Sequence, residues 1–120
     1  MRLKVLVVLL ASVLAVTAQA ATLRVVGVKT SDAAAYVQAI GKGSALLKSK
    51  GSPAVVRVWR AQYAGDKAGS IVVSVEFPDL AALAKYNELM ATDSELKSWL
   101  QGLDKLRTVE SDSIYQELKP

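Results

Sequence analysis

The sequence predicts a single α+β domain with one antiparallel sheet and helices on one of its faces. Three observations lead there. Short β-branched runs bounded by turn residues recur at 22–29, 54–63, 70–77 and 107–118, the pattern of strands. The segments after the first and third runs carry apolar residues every three or four positions, the pattern of helices buried on one side. The chain is 120 residues long, enough for one domain with or without a targeting segment, but not for two.

Residues 1–20, MRLKVLVVLLASVLAVTAQA, read as a secretory leader rather than as part of that domain. Arg2 and Lys4 make a positive start, Val5 to Val16 an apolar run of twelve, and Ala18-Gln19-Ala20 a small-x-small cleavage site. A spanning helix needs about 20 apolar residues, so no stable membrane anchor is expected. No Cys follows the run, which excludes a lipoprotein. The expected product begins near Ala21 and is exported, to the periplasm if the source is Gram-negative. Without Arg2 and Lys4, thirteen basic residues face eleven acidic ones, a net charge of +2. The basic residues are scattered, so no nucleic-acid partner is expected.

In the domain at 21–120, Thr22 to Lys29 is the first strand. Thr30-Ser31-Asp32 offers N-cap oxygens for a helix running to about Lys50, with Tyr36, Ile40, Ser44 and Leu47 along its face. Gly51 suits the C-cap and Ser52-Pro53 stops the chain. Gly41 and Gly43 weaken the helix interior and are either simply tolerated there or permit a close helix–sheet approach. Ala54 to Tyr63 and Ser70 to Phe77 form a hairpin around the turn-rich AGDKAG. Pro78-Asp79 opens a helix from Leu80 to Ala91. Thr92 and Glu95 then match a capping box for a helix burying Leu96, Trp99, Leu100 and Leu103. The last strand lies within 107–118. The order β-α-β-β-α-α-β points to a ferredoxin-like sandwich, four antiparallel strands with the helices on one face.

If Tyr63 faces Ser70, the hairpin places Arg57 opposite Glu76 and Trp59 opposite Ser74. One face then carries Val56, Val58, Ile71, Val73, Val75 and Phe77 and belongs under the helices. The other carries Arg57, Trp59, Tyr63, Val72, Ser74 and Glu76, too apolar for a face left to water. A second copy of the same sheet is the simplest cover, so a homodimer is expected.

The run PAVVRVWRAQYAGDKAGSIVVSVEFPDLAALAKYNELMATDSELKSWL and the later DSIYQEL resemble the dimeric α/β-barrel superfamily. That superfamily includes antibiotic-biosynthesis-type monooxygenases and stress-responsive barrel proteins, and the likeness is greatest to small exported bacterial members without assigned activity. It spans roughly Leu23 to Leu118 and implies a homodimer whose sheets close a barrel, each subunit keeping an internal pocket. Some members oxidise aromatic substrates without metal or flavin through Asn, Trp, Arg or His in that pocket. Here Trp59 and Arg57 are present, His is absent from the whole chain, and Asn87 falls on a helix.

Composition narrows the chemistry further. The chain has neither Cys nor His, which removes disulfides, thiolate zinc sites, cysteine nucleophiles, His-ligated haem and Ser-His-Asp triads. No carboxylate spacing matches a calcium loop, and no phosphate loop or nucleophile elbow is present. No metal and no cofactor is expected. Arg57 and Glu76 are the sharpest pair: an oxygen-binding cation and a buried base, or, as the favoured reading, a cross-strand ion pair. Trp59 and Tyr63 stack a ligand or simply pack an interface. Ser74 is a ligand contact or a partner of the indole's surroundings, and Tyr115 a further ligand contact if the last strand has the right parity. The expected function is binding of a small apolar or aromatic molecule in the barrel cavity. A cofactor-independent oxygenase or isomerase using Trp59, Arg57 and Glu76 is the alternative, and a packed, purely structural barrel the third reading.

Overall fold

The computed structural model describes residues 20–120. The expected leader therefore lies, but for Ala20, outside the described residues. The elements are β1 (Thr22–Lys29), α1 (Ala33–Ser49), β2 (Val55–Arg60), a single 3-10 turn (Gly65–Lys67), β3 (Ile71–Phe77), α2 (Leu80–Thr92), α3 (Ser94–Asp104) and β4 (Thr108–Gln116). The strands form one sheet in the order β2-β3-β1-β4, and every neighbouring pair is antiparallel. This is the ferredoxin-like α+β arrangement. Among the described residues no helix is long and apolar enough to cross a membrane.

Alternation along the strands decides which side chains the helices cover. Val26 and Val28 of β1 and Ile71, Val73, Val75 and Phe77 of β3 are buried. Against them lie Tyr36, Ile40 and Leu47 of α1, Leu83 and Tyr86 of α2, and Leu96 and Leu103 of α3. Phe77 and Tyr86 meet edge-on, their ring centroids 5.1 Å apart, a favoured aromatic geometry.

Local chemistry sets the helix ends. Asp32 caps α1 by accepting from the Ala35 N–H at 3.0 Å. At the other end Gly51 takes φ +80°, while the N–H of Ser52 donates to the Leu47 carbonyl and that of Gly51 to Lys48. These paired bonds are the Schellman closure, which needs a left-handed residue where Gly51 sits. Asp79 caps α2 through the Ala82 N–H. The cap of α3 differs from the sequence reading. Asp93 accepts from the Leu96 N–H at 3.0 Å, whereas the Thr92 hydroxyl donates back to the Glu88 carbonyl. Asp93 is one residue closer to the helix and its carboxylate reaches the N3 amide, so the Thr92–Glu95 box does not form. Glu95 instead joins Asp93 around the Lys50 ammonium, at 3.0 and 2.9 Å. That cluster ties the end of α1 to the α2–α3 junction and holds the Asp93 carboxyl below the usual range, chiefly through Lys50.

The hairpin is also corrected in register. Arg57 pairs with Ser74 and Trp59 with Val72, two residues away from the expected alignment. The turn at Gly65–Lys67 and the positive φ of Gly69 consume residues 62–69, so the ladder closes at Ala61 and Ser70. Tyr63 consequently leaves the strand and stands fully exposed in the loop. A two-residue slip preserves side-chain parity, so the two faces keep the composition expected of them.

The two central glycines of α1 have opposite roles. A Cβ on Gly41 would meet nothing within 4 Å, while one on Gly43 would overlap the six-membered ring of Trp99. Trp99 donates its indole N–H to the Ala39 carbonyl at 2.8 Å, so α3 lies against α1 through the missing side chain. Gly41→Ala should therefore stabilise the fold by about 0.5–1 kcal/mol, and Gly43→Ala should destabilise it by about 1–2 kcal/mol as overpacking outweighs helix propensity. Thermal melts of the two variants should move in opposite directions by several degrees.

Candidate functional site

Two surfaces of the sheet hold polar side chains among apolar ones. The face away from the helices carries Val55, Arg57 and Trp59 of β2, Val72, Ser74 and Glu76 of β3, and Leu23 and Val25 of β1. The Trp59 indole N–H donates to Ser74 Oγ at 2.8 Å. The Arg57 guanidinium lies 3.7 Å from the Glu76 carboxylate, with both side chains about half exposed. Each pairing runs diagonally across the ladder, because the directly opposed partners are Val72 and Ser74. An ion pair this open to water contributes little stability. Trp59 itself is 54% exposed.

The structure thus brings Arg57, Trp59, Ser74 and Glu76 together and leaves Tyr63 apart in its loop. Tyr115 pairs with Leu23 and so shares the outer face, but β4 and β2 are opposite edges of the sheet. Three interstrand spacings separate them, roughly 14 Å, so Tyr115 is no direct neighbour of Trp59.

A cavity lies on the other side of the sheet, under the helices. It measures about 210 Å³. Val73 and Val75 form its floor, Ile40 and Leu47 one wall, and Trp99 and Leu100 another. Four charged residues, Arg24, Asp104, Arg107 and Asp112, and the Tyr86 phenol complete the lining. Arg24 shares the parity of Val26 and Val28, and Asp112 pairs with Val26 across the β1–β4 ladder, so both charges point towards the core side. A charged residue in phase with the buried valines of the first strand was the available signal for this site, and the sequence reading passed over it.

The rim charges are matched one to one. Arg24 grips Asp112 with two parallel hydrogen bonds, Nε to Oδ1 at 3.0 Å and Nη2 to Oδ2 at 2.6 Å, the strongest form of arginine–carboxylate contact. Arg107 donates twice to Asp104 Oδ1, at 3.2 and 3.1 Å, and once to the Tyr36 hydroxyl at 3.1 Å. The bonds from Arg24 hold the Asp112 carboxyl below its usual range. Burial pushes the Tyr86 phenol up, an effect that the charges of Arg24 and Arg107 only partly offset. The cavity therefore presents a phenol and two carboxylates that arginines already bind. It offers donors to an acceptor oxygen but no free base. Among the described residues, no cluster of three or more acidic side chains is placed to hold a metal ion.

Asp112→Asn should lower stability at neutral pH by about 1 kcal/mol or less, because the pair is partly exposed. The depressed carboxyl contributes stability above its unfolded pKa of about 3.9, and that contribution is lost as pH falls through the lower folded value. The difference in melting temperature between wild type and variant should accordingly shrink in acid below about pH 4.

No family model matches the chain, and no curated protein is found similar to it. Solved structures do share its fold. SnoaB, a cofactor-independent oxygenase from Streptomyces nogalater, superposes with a TM-score of 0.63 in a point-variant form, at 15% identity over 86% of this chain and 97% of that one. A second SnoaB structure gives 0.58 at 14% identity, over 84% and 96%. A conserved Bacteroides thetaiotaomicron protein of unknown function, described as a possible oxidoreductase, gives 0.60 at 8% identity, over 83% of this chain and the whole of the other. The described domain therefore shares its ferredoxin-like α+β fold with these proteins.

Proposed function

We propose that this chain is an exported homodimer that binds a small apolar or aromatic molecule in the cavity beneath its helices. The observation that carries the reading is the cavity itself: about 210 Å³, walled by aliphatic side chains and one indole, with polar groups gathered at Arg24, Tyr86 and Arg107. The volume lies below the roughly 300–1,000 Å³ of drug-sized pockets, which favours an occupant of single-ring size. The outer face, with Val55, Trp59 and Tyr115 exposed in one chain, supports association with a second copy.

A second reading, cofactor-independent oxygenation, draws support from the fold shared with SnoaB. The absence of a free base among the cavity's lining residues favours binding over proton abstraction. Arg57, Trp59 and Glu76 could serve that chemistry only if a second copy closed a chamber over the outer face. Oxygen uptake with a panel of quinols, abolished by Trp59→Ala or Arg57→Ala while folding survives, would establish the oxygenase reading.

The two tryptophans separate the two faces experimentally. In a ¹⁵N spectrum, small aromatic ligands should shift the indole N–H of Trp99, which lines the cavity, and leave that of Trp59 in place. A shift of Trp59 alone would move the binding site to the outer face. Exported protein should begin near Ala21 by mass spectrometry and scatter light as twice the mature mass at micromolar concentration. A stable monomer would overturn the dimer.

A further inference from the structure

We infer that the helix-side cavity selects neutral, single-ring molecules carrying one acceptor oxygen, with an aryl or cyclic ketone as the type, and that Tyr86 donates to that oxygen. The inference rests on the binding reading above and adds the chemistry of the occupant.

Size and walls ask for a compact apolar body. The polar lining decides what else the molecule carries. Arg24 faces Asp112 and Arg107 faces Asp104, so the four charged side chains around the cavity sum to zero. A carboxylate ligand would give up its hydration and meet no unmatched cation, with two carboxylates already present. A pure hydrocarbon would cover the phenol of Tyr86 without bonding it, which also carries a penalty. A neutral acceptor avoids both costs.

Tyr86 is the donor best placed for the task. It is 8% exposed, lines the cavity, and has its ring fixed edge-on against Phe77. The Trp99 N–H is committed to the Ala39 carbonyl, while Arg24 and Arg107 turn N–H groups to Asp112 and Asp104, leaving Tyr86 as the neutral cavity-lining donor opposite them. Ser44 is the other hydroxyl in the wall and supplies a control.

The test is a titration of the folded protein with acetophenone, ethylbenzene and benzoate, following the Trp99 indole N–H. Acetophenone should bind roughly 3- to 10-fold more tightly than ethylbenzene, the span expected of one neutral hydrogen bond, with benzoate the weakest. Tyr86→Phe should erase the advantage of acetophenone and leave ethylbenzene unchanged, while Ser44→Ala preserves the order. Asp112→Asn, which leaves the Arg24 charge unmatched, should strengthen benzoate binding alone. The inference is overturned if Tyr86→Phe keeps the ketone preference, or if benzoate matches acetophenone on the wild-type protein. If no member of the panel moves Trp99, the binding reading itself fails, a result distinct from the loss of selectivity.

Discussion

A sheet covered by helices on one face can hide only every second side chain of each strand, and the rest of this structure is arranged around that constraint. Valines at 26, 28, 73 and 75 lie on the helix side, and Val25 and Val72 on the outer side, with Ser74 beside them buried under Trp59. Arg24 and Asp112 break the rule in a coordinated way. They sit in phase with the buried valines on adjacent strands, and each supplies the counter-charge the other needs near a low-dielectric core. Removing one partner costs only modestly, because both side chains still reach water. Together they border an apolar space without giving it a field of either sign.

The helices that cover this space are tied to one another at three points. Trp99 rests where Gly43 has no side chain and hooks the Ala39 carbonyl. Lys50 clamps the end of α1 to Asp93 and Glu95. Arg107 reaches from the end of α3 to Tyr36 on α1. These three links brace α1 against the α2–α3 pair at separate points around the cavity.

Most of the frame was legible in the sequence, because it depends on local signals. Asp32, Asp79 and Gly51 bound helices through chemistry confined to a few residues, and the valine-rich runs declare strands by alternation. The division of the hairpin into a core side and an outer side survived an error in its alignment, since a slip of two residues moves no side chain across the sheet. What stayed hidden depends on geometry at a distance. The hairpin closes early because of backbone angles at Gly65 and Gly69, and Asp93 displaces Thr92 as cap by a matter of reach. The volume beneath the helices follows from how closely α3 approaches α1, which no periodicity encodes. Among the outer-face candidates, Arg57, Trp59, Ser74 and Glu76 did gather, because they occupy adjacent strands. Tyr63 and Tyr115 did not, one being drawn into a loop and the other carried to the far edge of the sheet.

The bond from the Trp59 indole to Ser74 also bears on how the outer face would meet another surface. An exposed aromatic ordinarily sweeps through several rotamers, and docking must freeze it at an entropic cost of roughly 0.5–1.5 kcal/mol. Here a hydroxyl on the next strand already fixes the ring against the sheet. A flat apolar plate is thereby presented in a single orientation before any encounter, and contact with it begins from a surface whose shape is already set.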